Sequence, residues 1–144
     1  MPNKSAQLIN HLSESFPTLE LDQNHAHEIT LSCTPDVLFD LMTHLKTHEA
    51  CQFNQLIDCC GVDFLHYGTV EWETDHASHL GFSRAAFEQD PAASTWEKSR
   101  FATVYHLLSI TLNQRIRVMC MLDDTQPTVP SAVSYTHLTL PTKA

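Results

Sequence analysis

The sequence predicts one small domain that mixes helices with strands, and three observations point there. Apolar residues recur at helical spacing in two stretches, Leu8 to Phe16 and Val37 to Leu45. From Arg100 to Leu122 two β-rich segments flank a short polar turn, the pattern of a hairpin. At 144 residues, 42% hydrophobic and 17% charged, the chain has the length and composition of one ordinary globular domain.

Ser5 is placed to cap a first helix with apolar positions Leu8, Ile9, Leu12 and Phe16, and Pro17 ends it. The segment 18–32 alternates weakly through Leu19, Leu21, Ile29 and Leu31 and reads as one or two short strands. Thr34-Pro35-Asp36 is a sharper signal. It offers a hydroxyl N-cap, a proline at the first helical position and an acid at the positive end of the dipole. The second helix should run to about His48, with Val37, Leu38, Leu41, Met42 and Leu45 as its core stripe.

Phe53 to Leu65 reads as a strand, a kink or bulge at Gly61, and a second short strand. Residues 66–99 lose periodicity yet carry Trp72, Phe82, Phe87 and Trp96, so this long loop is expected to pack on something. The hairpin then pairs Arg100–Leu112 with Arg115–Leu122 across a two-residue turn, Asn113-Gln114. Ile116, Val118, Cys120 and Leu122 share one face of its second strand; Arg115, Arg117, Met119 and Met121 share the other. That second set suits a surface that meets another protein, and equally an edge strand with snorkelling arginines. Asp123, Asp124, Pro127 and Pro130 mark an extended exit.

Composition excludes several classes. The net charge of −9 argues against a phosphate-tracking nucleic-acid binder. No apolar run approaches the ~18 residues of a membrane span, and the first residues lack a signal-peptide core. All four arginines (Arg84, Arg100, Arg115, Arg117) lie in the second half, so anionic partners are expected to bind there. The five cysteines (33, 51, 59, 60, 120) show no repeated spacing and read as buried thiols of a reducing compartment.

Catalytic patterns do not emerge. With three glycines in the chain there is no phosphate loop, and no GxSxG elbow is present. Cys59-Cys60 is not a CxxC pair; neighbours on a strand point to opposite faces, so the pair reads as structural. Asp58 and Asp63 read as caps, turn formers or partners of the arginines, before paired acid catalysis. Among the ten histidines, His44 and His48 are four apart on one helix and could share an ion, although Leu45 stands where HExxH needs glutamate. The leading reading is two solvated histidines. His25 with His27, and His76 with His79, are weaker pairs. The alternative is a small histidine-rich metal-binding module built on His44, His48 and a further histidine or cysteine.

The run Arg100-Phe101-Ala102-Thr103-Val104-Tyr105-His106-Leu107-Leu108-Ser109, then Asn113 and Arg115-Ile116-Arg117-Val118, resembles a known signature. It is similar to the centre of the thirty-kilodalton-type subunit family of bacterial NADH–quinone oxidoreductase, respiratory complex I. Phe53 to Phe64 resembles that family's strand, running into a turn at Gly61-Val62-Asp63-Phe64. Tyr67-Gly68, Glu71-Trp72 and Gly81-Phe82-Ser83-Arg84 resemble an insertion of proteobacterial members, and Pro127-Thr128-Val129-Pro130-Ser131 resembles the exit segment.

The resemblance covers about residues 5–132 and implies an α+β fold, a small mixed or antiparallel sheet with two helices packed on one face. It implies a domain over 1–132 with residues 66–99 as a long insertion loop. Such a chain would be a non-redox structural subunit of the peripheral arm, at the cytoplasmic face of the inner membrane and touching the membrane only through the complex. It would dock on the quinone-site subunit and support electron transfer from NADH to quinone coupled to proton translocation. No catalytic, cofactor-binding or metal-ligating residue is expected in it, since FMN and iron–sulfur clusters belong to other subunits of such a complex. His106, Arg115, Arg117, Met119 and Met121 are the expected interface residues. Beyond Ser131 the family continues with a tryptophan-containing stretch and an acidic–basic–acidic motif that do not follow here. Residues 134–144 instead resemble a translated sequencing adapter, and 133–144 is expected to be a non-homologous tail, disordered or artefactual, on a truncated sequence.

Overall fold

A computed structural model of the chain describes residues 4–23, 28–65, 67–68, 77–78, 81–82 and 96–131. Two helices, α1 (Lys4–Ser15) and α2 (Pro35–Thr47), accompany seven strands: β1 (Glu20–Gln23), β2 (Ile29–Cys33), β3 (Gln55–Asp63), β4 (Ala77–Ser78), β5 (Gly81–Phe82), β6 (Phe101–Ser109) and β7 (Gln114–Met121). Five strands form a mixed sheet in the order β1-β2-β7-β6-β3, and β4 pairs with β5 in a separate short ribbon. Only β2 and β7 run parallel within the main sheet; the other neighbours are antiparallel. This is the expected α+β arrangement.

The helices form for the reasons the sequence suggests. In α1, Leu8 and Leu12 are one turn apart and are its buried residues. The helix already includes Lys4, so Ser5 lies within its first turn and not outside it as a cap. The helix stops at Ser15, and Pro17 cannot continue it. Thr34 holds the extended N-cap conformation before Pro35, but its hydroxyl makes no capping bond; its carbonyl accepts from Val37 N–H at 3.2 Å. Leu38, Leu41, Met42 and Leu45 are the buried stripe of α2.

These side chains meet one face of the sheet. Register places Ile29, Leu31 and Cys33 of β2 beside Ile116, Val118 and Cys120 of β7, and Tyr105 and Leu107 of β6 opposite Val118 and Ile116. All join Leu8, Leu12 and the α2 stripe in one buried core, closed at its rim by Cys51 and Phe53. Burying each large aliphatic side chain contributes about 1.5–3 kcal/mol, so this layer supplies most of the drive to fold. Cys33 and Cys120 are register partners inside it. A hydrogen bond between the two thiols raises the pKa of Cys33 and lowers that of Cys120.

Three sequence expectations change. The segment after Phe53 is one continuous strand; its irregularity lies between Leu56 and Asp58, where Ile57 is half-exposed, and not at Gly61. A Cβ at Gly61 would meet nothing within 4 Å, so no close approach requires glycine there, and the chain leaves the sheet only after Asp63. Cys59 and Cys60 are exposed on this edge strand, whereas Cys33, Cys51 and Cys120 are buried as expected. The hairpin loop spans Ile110–Asn113, closed by Asn113 N–H donating to the Ile110 carbonyl at 3.3 Å, and Gln114 opens β7. Asn113 takes the left-handed φ of 51° that asparagine tolerates.

Candidate functional site: the sheet face away from the helices

Alternation sends every second residue of β6 and β7 to the face opposite the core. Register sets His106 beside Arg117, Leu108 beside Arg115, Val104 beside Met119 and Ala102 beside Met121. The five expected interface residues His106, Arg115, Arg117, Met119 and Met121 therefore share one surface. The edge-strand reading of β7 is overturned, because the strand lies between β2 and β6. A central position explains why Arg117, Met119 and Met121 are half-buried while Arg115, nearer the strand's start, is exposed.

The neighbouring strand adds residues that sequence reasoning missed. Arg117 Nε and Nη2 donate to Thr30 Oγ1 at 3.2 and 2.9 Å, which fixes the guanidinium across the β2–β7 ladder. His106 Nδ1 stands 4.0 Å from Glu28 Oε1. The signal for Thr30 was present: if Ile29, Leu31 and Cys33 point inward, Thr30 and Ser32 must point outward beside Arg117 and Met119. At the sheet's end, Lys98 pairs with Glu20 and a bidentate ion pair joins Arg100 to Asp63 at 2.8 Å per bond. Asp63 is thus an arginine partner, while the Asp58 carboxylate accepts from Cys59 N–H at 2.9 Å.

Tyr67 and Trp96, near the two ends of segment 66–99, come together on Phe64, the residue after Asp63. Trp96 stacks on Phe64 with centroids 3.9 Å apart and rings 8° from parallel, and Tyr67 meets both edge-on. Trp96 Nε1 donates to the Ser99 carbonyl at 2.8 Å. The expectation that aromatic residues of this loop pack is met for Trp96. Trp72, Arg84 and Phe87, the pairs His25/His27 and His76/His79, and the tail 133–144 lie outside the described residues.

A second cluster sits on the helix side. His44 and His48 are joined by His11 from α1 and by Cys51 from the turn after α2; one ligand atom from each lies within 4.8 Å of the others. His11 Nε2 and His44 Nε2 are 3.0 Å apart, and the His44 and His48 rings stack at 4.6 Å. The turn that delivers Cys51 is held by Cys51 and Gln52 N–H bonds to the His48 carbonyl, both 3.0 Å, with Gln52 at a left-handed φ of 47°. Burial, then the charges of His48 and His11, lowers the pKa of His44; burial pushes the Cys51 thiol up to about 11. Sequence reasoning named His44 and His48 but not His11 or Cys51. The spacing His44-x3-His48-x2-Cys51 was the signal available for Cys51, and only the packing of α1 on α2 brings His11 in.

Comparison with known proteins matches this architecture. The model for the respiratory-chain NADH dehydrogenase 30 Kd subunit fits residues 31–138. The chain is 42% identical over 126 residues to a NADH-quinone oxidoreductase subunit of Legionella pneumophila (strain Corby), across 88% of this chain and 52% of that protein. It is 48% identical over 111 residues to the equivalent subunit of Hydrogenovibrio crunogenus, across 74% of this chain and 49% of the relative. The chain thus spans about half the length of the curated relatives it matches. Among solved structures it is similar to Nqo5 in the trypsin-resistant fragment (1-134), with a TM-score of 0.59 and 18% identity over 91% of this chain and 80% of that one; this likeness concerns the fold. On the match across residues 31–138, the chain belongs to the respiratory-chain NADH dehydrogenase 30 Kd subunit family.

Proposed function

We propose that the chain is the assembly domain of a structural subunit in the peripheral arm of NADH–quinone oxidoreductase, and that it docks on the quinone-site subunit. It acts without redox chemistry of its own. The FMN and iron–sulfur clusters that carry electrons from NADH, and the steps that couple quinone reduction to proton translocation, belong to its partners. Its attachment to the cytoplasmic face of the inner membrane is indirect, in keeping with the finding that no helix among the described residues is long and apolar enough to cross a membrane. Residues 1–132 are taken as the working domain.

One observation carries the docking surface: His106, Arg115, Arg117, Met119 and Met121 gather on a single sheet face beside Thr30. Arginine and methionine are enriched where proteins meet, because both cover apolar area while adapting to the partner's shape. Arg117 is also held in place before docking, so less side-chain entropy is lost on association.

The test adds the purified chain to a peripheral-arm subcomplex that lacks this subunit and follows co-elution with the quinone-site subunit. Stable association is expected, weakened at least about tenfold by the double change Arg117→Glu and Met119→Lys, as for loss of central interface contacts. Absence of association, or association untouched by that change in a folded variant, would overturn the proposal.

A further inference from the structure

We propose that His11, His44, His48 and Cys51 form a structural site for a divalent transition metal, with zinc the best fit. This stands apart from the docking reading, because the cluster lies on the helix side of the sheet.

Donor chemistry narrows the ion. Three imidazoles and one thiol supply nitrogen and sulfur but no oxygen, which suits zinc, cobalt or nickel and not calcium or magnesium. Four protein donors fill a tetrahedron and leave no open position, the composition of a closed structural site. With Zn–N near 2.0–2.1 Å and Zn–S near 2.3 Å, tetrahedral donors stand roughly 3.3–3.7 Å apart. His11 and His44 are already at 3.0 Å, and the widest separation in the cluster is no more than 4.8 Å. Closing that gap takes small rotations of half-buried rings, while the buried Cys51 supplies a fixed floor.

Two features prepare the donors. Two Nε2 atoms stand 3.0 Å apart, so nitrogens that an ion would use already converge. Phe16 meets His44 edge-on at 5.2 Å and orients that ring, whereas Ala50 N–H donates to His48 Nδ1 at 3.1 Å, a bond that opposes binding. Binding through His48 Nε2 would move its proton to Nδ1 and give up that last bond; binding through Nδ1 would displace the donor.

The proton balance follows. Each imidazole gives the ion the lone pair of one nitrogen and keeps a proton on the other. The Cys51 thiol loses its proton to solvent as the metal–sulfur bond forms, so one proton is released per ion bound at neutral pH. The ion would staple α1 to the end of α2 and stabilise the folded chain by binding it and not the unfolded one.

Equilibrium dialysis of the reduced chain against zinc and cobalt(II), in a buffer that does not coordinate metals, tests this. One ion per chain is expected. The cobalt form should show tetrahedral visible bands with a thiolate-to-cobalt charge-transfer band, which Cys51→Ser abolishes. His11→Gln, on the half-exposed side of α1, should weaken binding by about 100-fold, at or beyond the loss seen when supporting contacts of metal sites are removed. His106→Gln, on the opposite face, should leave it unchanged. The proposal fails if no ion binds stoichiometrically. It also fails if His11→Gln and His44→Gln, both still folded by circular dichroism, bind with unchanged affinity and an intact charge-transfer band.

Discussion

Adjacent residues of β7 live under different rules. Ile116, Val118 and Cys120 are buried beneath the helices, while Arg115, Arg117, Met119 and Met121 between them are exposed or half-buried. On the first face every requirement is met inside the chain: apolar atoms pack against α1, α2 and the neighbouring strands. On the second, Thr30 anchors Arg117, and Met119 and Met121 follow it along the same face. A defect on the helix face should therefore register as lost stability. A defect on the other should register mainly as lost association.

The largest expected effect comes from the helix face. Leu107 is fully buried opposite Ile116, at the centre of the core. Leu107→Ala removes its packing and leaves a cavity, at a cost of about 2–5 kcal/mol. Thermal melting followed by circular dichroism should show Tm lower by roughly 10 °C or more. A shift below about 2 °C would mean that the core collapses around the site and that the contrast between the faces is weaker than burial implies.

That face is also the one the sequence makes most legible. Ile116, Val118, Cys120 and Leu122 alternate because a strand has period two, and all four are buried where the pattern puts them. The α2 stripe and its Pro35 start were readable for the same reason: they rest on local periodicity and backbone sterics. What escaped depends on contacts between distant segments. The irregularity at Ile57 reflects how β3 fits β6, and nothing in Leu56-Ile57-Asp58 marks it, whereas Gly61 drew attention by composition alone. The loop at Ile110–Asn113 is longer than the polar pair suggested, since Ile110 at its start is apolar yet 61% exposed and carries no turn signal. In the same way, the interface candidates were named from alternation, but Thr30 and Glu28 enter only once β2 lies parallel to β7. His11 joins His44 only once the helices pack.

Alkaline pH sharpens the comparison at intermediate size. Burial raises Cys51 from 9.0 to about 11. For Tyr105 burial comes first, with the nearby thiols Cys59, Cys120 and Cys33 adding to it, and the phenol rises from 10.0 to about 12. The unfolded chain sheds these protons near 9.0 and 10.0 while the folded chain keeps them. Between those limits the unfolded state binds fewer protons, so stability is complete below pH 9 and falls as pH rises toward 12. Tm in metal-free buffer should drop by roughly 5 °C or more from pH 8.5 to pH 11. Tyr105→Phe should flatten the upper part of that decline. A Tm constant over the range would show that neither group is shielded as the helix face requires.

The smallest stability effects are expected on the other face, and there the comparison can be broken outright. Arg117→Met keeps apolar volume but removes both bonds to the Thr30 hydroxyl, so it should cost about 1 kcal/mol, the net worth of a modest hydrogen bond. Arg115→Glu reverses an exposed charge and should alter stability by no more than about 0.5 kcal/mol. Its consequence should appear in binding to the quinone-site subunit, as a slower association rate and a changed salt dependence, because charges at the rim of an interface act chiefly by steering encounter. Measured side by side, the two variants separate the roles. If Arg115→Glu melts like the parent yet binds more slowly, the face serves a partner. If both variants lose stability in proportion and bind alike, the arginines serve the sheet itself, and the distinction drawn between alternate residues of β7 does not hold.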